Sequence, residues 1–185
     1  MGDEVNVRLI VSDKVSEILF YDDVNDKSVL VLNDYLRQAI DNSVRIGDTY
    51  NKGMPPVVLR VNSNGGNWFD ALAVVDYIKR ARVPVHTVVD GFCASAASII
   101  SIAGQRRFIN KNSFMLLHQL SGGCDGTLKQ MKDTFESSVL LMDGVIDFYL
   151  EHLKIKRKAL KRLLDSDLYL TATDCLKYGL VDEVI

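Results

Sequence analysis

Several features that mark other classes of protein are scarce in this 185-residue sequence. It has only three prolines and no low-complexity stretch, so no linker between domains is evident. We therefore expect a single domain over residues 1–185, a length sufficient to bury a full core. The net charge is only −2, which gives no electrostatic reason to expect nucleic acid or an anionic membrane as the main partner.

Cysteine is scarce as well. Cys93, Cys124 and Cys175 are odd in number and include no Cys-x-x-Cys pair, which indicates reduced thiols and not a disulfide framework or a zinc site. We expect a reducing, cytoplasmic location and neither a metal nor a cofactor. No apolar run approaches the ~20 residues that span a bilayer, and Asp3 and Glu4 stand where a signal peptide would need a basic start.

Short apolar runs alternate with segments of helical periodicity along the chain. The nearly continuous run Val57–Val61 ends at Asn-Ser-Asn-Gly-Gly (62–66), and a helical pattern follows over 68–82. Pro84 then introduces the next apolar run, while the polar stretch 46–53 is predicted to be a loop. This alternation predicts an α/β fold with a mainly parallel sheet covered by helices.

The stretch from Val85 to Gly104 combines a strand with a helix of very small residues. The strand is predicted to end at Asp90-Gly91, a turn pair, and Ser95 lies where the strand passes into the helix. A hydroxyl beside the free N–H groups of a helix N-terminus can act as a nucleophile whose oxyanion is met by backbone donors. Serine is also common as a plain helix cap, so a tightly packed helix without chemistry remains the alternative.

A nucleophilic serine needs a base and a carboxylate, and the sequence offers few candidates. Of the three histidines, His118 ends a buried-looking strand next to a glycine-rich segment and is the best candidate base. His86 lies in an apolar strand, and His152 ends an amphipathic helix, where a solvated histidine is ordinary. For the carboxylate, Asp165 and Asp167 both precede a short strand, and either can be a simple turn residue.

A long helix is predicted from about Thr127 to His152. It has one broad apolar face, formed by Met131, Phe135, Val139, Met142, Ile146 and Leu150. The helix is longer and more apolar than a lone domain of this size needs, which favours a contact surface between subunits. The alternative is an ordinary core helix.

Spaced motifs in the right order give the chain a resemblance to a known family. The segment Gly91–Ser98, with Ser95 inside it, resembles the nucleophile region of the ClpP family, the proteolytic subunits of the ATP-dependent Clp protease. The resemblance covers roughly Ile18 to Ile185 and includes the segments Asn62–Gly66, Ala103-Gly104, Arg107-Phe108, Met115–Gln119, Gly122–Gly126, Asp167–Ala172 and Tyr178–Asp182.

The resemblance implies a fold and a role for each matched position. The fold is a ClpP/crotonase-like spiral of β-α units with a protruding handle helix. The implied catalytic residues are Ser95 as nucleophile, His118 as base and Asp167 as the orienting carboxylate. The implied oxyanion donors are the backbone N–H groups of Gly66 and Ala96, and Gly65, Gly122 and Gly123 are implied to bind substrate.

The implied function is that of a serine endopeptidase subunit in a self-compartmentalised ring protease, which cleaves peptides or unfolded proteins. The implied assembly is a homo-oligomer, namely a heptameric ring or two such rings stacked, with an ATP-dependent unfoldase as partner. Ser166 stands where family members carry an arginine that acts across the contact between rings. We therefore expect weaker and more salt-tolerant stacking here.

Two other functions are compatible with the same fold. A crotonase-like acyl-CoA enzyme also uses paired backbone N–H groups, but it does not need Ser95, His118 and Asp167 together. A non-catalytic ring subunit keeps the fold while active partners supply the chemistry, and such subunits usually lack a member of the triad. None of the three residues is missing here.

Overall fold

The computed structural model describes residues 5–51 and 53–185. Residues 1–4, with Asp3 and Glu4, and Lys52 of the predicted 46–53 loop lie outside the described residues. The described strands are β1 (Val7–Val11), β2 (Ser16–Phe20), β3 (Val57–Ser63), β4 (Val85–Ala94), β5 (Arg106–Ile109), β6 (Phe114–Leu116), β7 (Tyr169–Thr171) and β8 (Glu183–Val184). The described helices are α1 (Asp26–Tyr50), α2 (Trp68–Lys79), α3 (Ala96–Ile102), α4 (Leu128–His152), α5 (Arg157–Leu164) and α6 (Ala172–Tyr178).

The strands form one sheet in the order β1-β2-β3-β4-β5-β8. In this order β1 is antiparallel to β2, and each later pair is parallel. Strand β6 also pairs with β4 in parallel, and β7 pairs with β6 antiparallel. The predicted α/β fold with a mainly parallel sheet is therefore confirmed. Since parallel strands share one direction, the carboxyl ends of β3 and β4 meet at the same edge, where α/β proteins usually place their sites.

Helix α1 is longer than its sequence pattern predicts. Its start is fixed by a capping box, in which the Asn25 side chain accepts from the Ser28 amide and the Ser28 hydroxyl accepts from the Asn25 amide. The helix continues to Tyr50, so the prediction of a loop from residue 46 is wrong. The segment contains no proline, and its Gly47 is buried, with its carbonyl accepting from the Asn51 amide that caps the helix.

Strand β4 does not end at Asp90-Gly91 as predicted. It continues to Ala94 but changes its neighbour: His86–Val89 pair with β5, whereas Phe92–Ala94 pair with β6. Gly91 makes this change possible, because its φ of 98° is one that a residue with a side chain rarely adopts. The Gly91 amide donates to the Ser113 hydroxyl at 2.7 Å. The redirected strand carries the chain to Ser95.

Helix α4 protrudes from the domain, as the predicted handle helix requires. Every residue from 128 to 140 is exposed, and Phe135 is 68% exposed. The other end of the helix is anchored in the core by Val145, Ile146 and Tyr149, all of which are buried. No helix formed by residues 5–51 and 53–185 is long and apolar enough to cross a membrane.

Candidate active site

Ser95 lies between β4 and α3 in a strained backbone conformation. It is the N-cap residue of α3, with φ 51° and ψ −126°. A positive φ costs a residue with a side chain on the order of 1–3 kcal/mol and persists where the surroundings enforce it. Two backbone hydrogen bonds hold it: the Ser95 amide donates to the Leu116 carbonyl at 2.8 Å, and the Ser95 carbonyl accepts from the Ser98 amide at 3.0 Å.

The Gly65-Gly66 loop packs directly against Ser95. A Cβ on Gly65 would lie 2.6 Å from the Ala94 carbonyl oxygen and 2.7 Å from the Ser95 Cβ. A Cβ on Gly66 would lie 2.2 Å from the Val24 carbonyl oxygen. Both glycines also have positive φ, 95° and 146°. Only residues without side chains therefore fit here, and their backbone lies against the serine.

Two backbone N–H groups beside Ser95 are available to a ligand. Ala96 is the first residue of α3, and the first N–H of a helix has no acceptor within the helix. Within residues 5–51 and 53–185, neither the Ala96 amide nor the Gly66 amide donates a hydrogen bond. The Ala96 nitrogen lies 3.1 Å from the position that a Gly65 Cβ would take. Such a pair of donors can stabilise an oxyanion.

His118 follows β6, which is hydrogen-bonded to the end of β4. It is half-buried and lines a cavity of about 30 Å³ beside Ser95. The cavity is lined by Gly66, Trp68, Ser95, Ala96, Ile99, His118, Gln119, Leu120, Val145 and Tyr149.

The structure thus brings together four residues that the sequence predicted to lie at the site: Ser95, His118, Gly66 and Ala96. Trp68 and Tyr149 were missed, because both follow patterns of ordinary helix faces.

The two candidate aspartates differ in what they contact. The Asp165 carboxylate accepts from the Gln119 side-chain amide at 2.7 Å, and the Gln119 backbone amide donates to the Leu164 carbonyl at 3.1 Å. Asp165 therefore helps to hold the segment after β6 against the end of α5. Asp167 is exposed and does not line the cavity.

The predicted triad lacks its hydrogen bonds among the described residues. Across the described parts of the chain, no hydrogen bond joins Ser95 to His118 or His118 to Asp167. The β6–β7 ladder is antiparallel and ends with the pair Leu116–Tyr169. Catalytic hydrogen bonds are often long without substrate and tighten in the complex.

Gly122 and Gly123, the remaining predicted site residues, lie in an irregular segment between His118 and α4. Both are exposed, and a Cβ on either would meet no atom within 4 Å. The structure does not place them in the cavity. Their role in substrate binding stays a prediction.

The other two histidines, His86 and His152, do not line the cavity and make contacts elsewhere. His86 is half-buried on β4, where burial and the nearby Arg106 lower its pKa. His152 stacks on Phe148, with ring centroids 4.6 Å apart, and its Nδ1 is 2.8 Å from the Phe148 carbonyl. Among the described residues, no group of three or more His, Cys, Asp or Glu side chains could hold a metal ion.

Comparison with known proteins assigns the chain to a family. The model of the Clp protease family matches residues 18–185. The chain belongs to the Clp protease family. A mutant of ClpP1 from Listeria monocytogenes has the same fold, with a TM-score of 0.78 at 21% identity, covering 91% of this chain and 90% of that one. The predicted ClpP-like fold is confirmed.

Curated members of the Clp protease family are moderately similar in sequence. The ATP-dependent Clp protease proteolytic subunit of Deinococcus radiodurans is 29% identical over 131 residues, which cover 70% of this chain and 64% of that protein. Proteolytic subunit 1 of Protochlamydia amoebophila is 32% identical over 134 residues, covering 70% and 65%. The matched region therefore spans slightly less than two thirds of each relative's length.

Proposed function

We propose that this chain is a serine endopeptidase subunit in which Ser95 is the nucleophile. The observation that carries the proposal is the strained Ser95, which lines one small cavity with His118. The amides of Gly66 and Ala96 flank the same serine and make no hydrogen bond within the described residues. Nucleophile, base and oxyanion donors are the minimum for acyl transfer.

The chemistry follows from these groups. His118 takes the proton of the Ser95 hydroxyl while its oxygen attacks the scissile carbonyl. The negative charge that develops on the carbonyl oxygen is stabilised by the N–H groups of Gly66 and Ala96. His118 then gives its proton to the leaving amine, and an acyl-enzyme forms on Ser95. Attack by a water, again with His118 as base, releases the second product.

Asp167 is the proposed orienting carboxylate. The register of the β6–β7 ladder supports this choice, because continuing it by two residues beyond Leu116–Tyr169 pairs His118 with Asp167. Asp165 is already engaged by Gln119. An acceptor at His118 Nδ1 would fix the ring orientation and stabilise the imidazolium that forms during the reaction.

The proposed substrates are peptides or unfolded proteins in extended form. The segment 120–124 supports this, because in the described residues its backbone groups make no hydrogen bond and its Gly122 and Gly123 leave open space. An extended peptide can pair with such a segment as an added strand. Gly65 is proposed to bind the same substrate backbone, because its loop lies directly against Ser95.

The proposed assembly is a homo-oligomeric ring, of seven subunits or two stacked sevens, with an ATP-dependent unfoldase as partner. The exposed apolar part of α4 supports self-association, and the similar proteins are named as proteolytic subunits of an ATP-dependent protease. The three free cysteines, of which only Cys124 is exposed, support a reducing, cytoplasmic location. One buried core cluster that extends from Val7 to Val181 supports a single domain.

Two assays on the purified chain test this function. We expect hydrolysis of an unstructured fluorogenic peptide and no turnover of an acyl-CoA thioester. Turnover of the thioester alone would instead support a crotonase-like enzyme. Loss of both activities in an assembled ring would support a non-catalytic subunit and contradict the proposal. Sedimentation velocity on the same sample reports the ring.

A further inference from the structure

Beneath the nucleophile, Ser98 and Tyr149 form a buried hydrogen-bonded pair. The Ser98 hydroxyl lies 2.7 Å from the Tyr149 hydroxyl, and it donates to the Ser95 carbonyl at 2.6 Å. Ser98 has no exposed surface, and Tyr149 is 2% exposed. The pair therefore connects the buried end of α4 with the backbone of the nucleophile, through three polar groups in a row.

The direction of each hydrogen bond in this row is determined by its acceptors. A carbonyl oxygen can only accept, so the single proton of the Ser98 hydroxyl points to the Ser95 carbonyl. The Tyr149 hydroxyl must then donate to the Ser98 oxygen. Burial raises the pKa of Tyr149, which keeps the phenol protonated and able to donate. Hydrogen bonds in such a chain strengthen one another.

The Ser95 carbonyl thus accepts two hydrogen bonds, from the Ser98 amide at 3.0 Å and from the Ser98 hydroxyl at 2.6 Å. The amide bond alone would suffice to begin an ordinary helix. Ser95 is not in an ordinary conformation, because its φ is 51° and its ψ is −126°. The ψ angle of Ser95 sets where its carbonyl points, so a second donor on this carbonyl restricts that angle.

We propose that Ser98 and Tyr149 are positioning residues, which hold the Ser95 carbonyl and thereby aim the Ser95 hydroxyl into the cavity. This inference rests on the proposed peptidase function. Neither side chain takes part in bond making. The Tyr149 hydroxyl acts only through Ser98, and the Ser98 hydroxyl acts only through the backbone of Ser95.

Three variants test the proposal: Ser98→Ala, Tyr149→Phe and the double substitution. We expect Ser98→Ala to lower kcat for a peptide about 10- to 100-fold with KM changed less than twofold, since small misplacement of a reacting group has effects of this size. Tyr149→Phe keeps the ring that lines the cavity and should lower kcat about 3- to 10-fold. The double variant should have the kcat of Ser98→Ala, because the tyrosine acts through the serine.

Thermal unfolding separates positioning from stability. Ser98→Ala leaves the Tyr149 hydroxyl buried without an acceptor, which should lower Tm. The double variant removes that hydroxyl, so its Tm should rise above that of Ser98→Ala while its kcat stays low. If kcat recovered together with Tm, the pair would be structural only and the proposal would be overturned.

Ser101→Ala is the matched control. Ser101 is buried in the same helix one turn further on, and among the described residues its hydroxyl has no hydrogen-bond partner. Its substitution should leave kcat unchanged. An active wild-type chain whose Ser98→Ala variant has normal kcat would overturn this inference alone, whereas an inactive wild-type chain would overturn the proposed function beneath it.

Discussion

Helix α3 and the outer part of helix α4, residues 128–140, both carry large apolar side chains, but their surroundings are opposite. Every residue of α3 is buried. Every residue from Leu128 to Leu140 is exposed, and these two leucines are 85% and 73% exposed. The first helix is stabilised entirely by contacts within its own chain, whereas the second presents apolar side chains that the chain itself does not cover.

The contrast separates two tasks. The groups around Ser95 are positioned within one chain, through β4, β6 and the Gly65-Gly66 loop. Burial of the outer part of α4 against a second surface would be favourable by about 25 cal/mol per Å² of apolar area that is removed from water. We therefore expect substitutions near α3 to change catalysis within a protomer and substitutions on outer α4 to change association.

The largest effect is expected from removal of the nucleophile. Ser95→Ala should lower kcat for peptide hydrolysis on the order of 10⁶-fold, and His118→Ala should come close to this, because the two groups act as a unit. The unfolding midpoint in urea should change little, since alanine fits the half-buried position. Normal hydrolysis by Ser95→Ala would exclude the mechanism.

A smaller loss is expected from the orienting carboxylate. Asp167→Asn should lower kcat on the order of 10²- to 10⁴-fold by depriving the His118 ring of its acceptor. Asp165→Asn is the matched control two residues away, and its effect on kcat should be mild because that carboxylate contacts Gln119. Equal, large losses from both variants in steady-state kinetics would show that the assignment of the carboxylate is wrong.

A side chain in the glycine loop should act on the same region through sterics. In Gly65→Ala the new Cβ would lie under 3.0 Å from Ala94 and Ser95 atoms, at a φ that alanine disfavours. We expect kcat to fall on the order of 10²-fold and the free energy of unfolding to fall by about 1–3 kcal/mol. Gly123→Ala, where a Cβ meets nothing within 4 Å, should leave unfolding unchanged. Equal urea curves for the two variants would contradict the packing described here.

The smallest effect on the protomer is expected on the outer part of α4. Val139→Asp places a charge on the exposed apolar face, where Val139 is 49% exposed. The protomer's free energy of unfolding should change by less than about 0.5 kcal/mol, while sedimentation velocity should show a smaller assembly. An unchanged assembly in Val139→Asp would assign the contact to another surface.

Wild-type association should persist in high salt, because Ser166 provides no charge for an ion pair.

Much of the fold follows from local pattern. The helices predicted over 68–82 and from about Thr127 to His152 are found as α2 (Trp68–Lys79) and α4 (Leu128–His152), because helical periodicity marks both segments clearly. Two predictions from the sequence were wrong. The polar composition from residue 46 predicted a loop, but helix α1 continues there. The turn signal at Gly91 predicted the end of a strand, but it marks a bend inside β4. In both places tertiary contacts override local propensity.

The candidate site was predictable in part for a similar reason. Ser95 and Gly66 each follow a strand, so their common edge could be inferred from the order of elements, whereas His118 needed the pairing of β6 with β4. The Ser98–Tyr149 pair joins residues 51 apart in sequence. No periodicity signals such a contact, because it depends on how the buried end of α4 packs against α3.

Covalent labelling of the chain by a fluorophosphonate tests the central claim most directly. Such a reagent reacts with a serine that is activated by a neighbouring base and whose oxyanion is stabilised. Mass spectrometry of the digested protein should show one adduct per chain, on Ser95, formed rapidly in the wild type and lost in His118→Ala. An adduct on another residue, or no adduct in a folded chain, would contradict the assignment of Ser95 as the nucleophile.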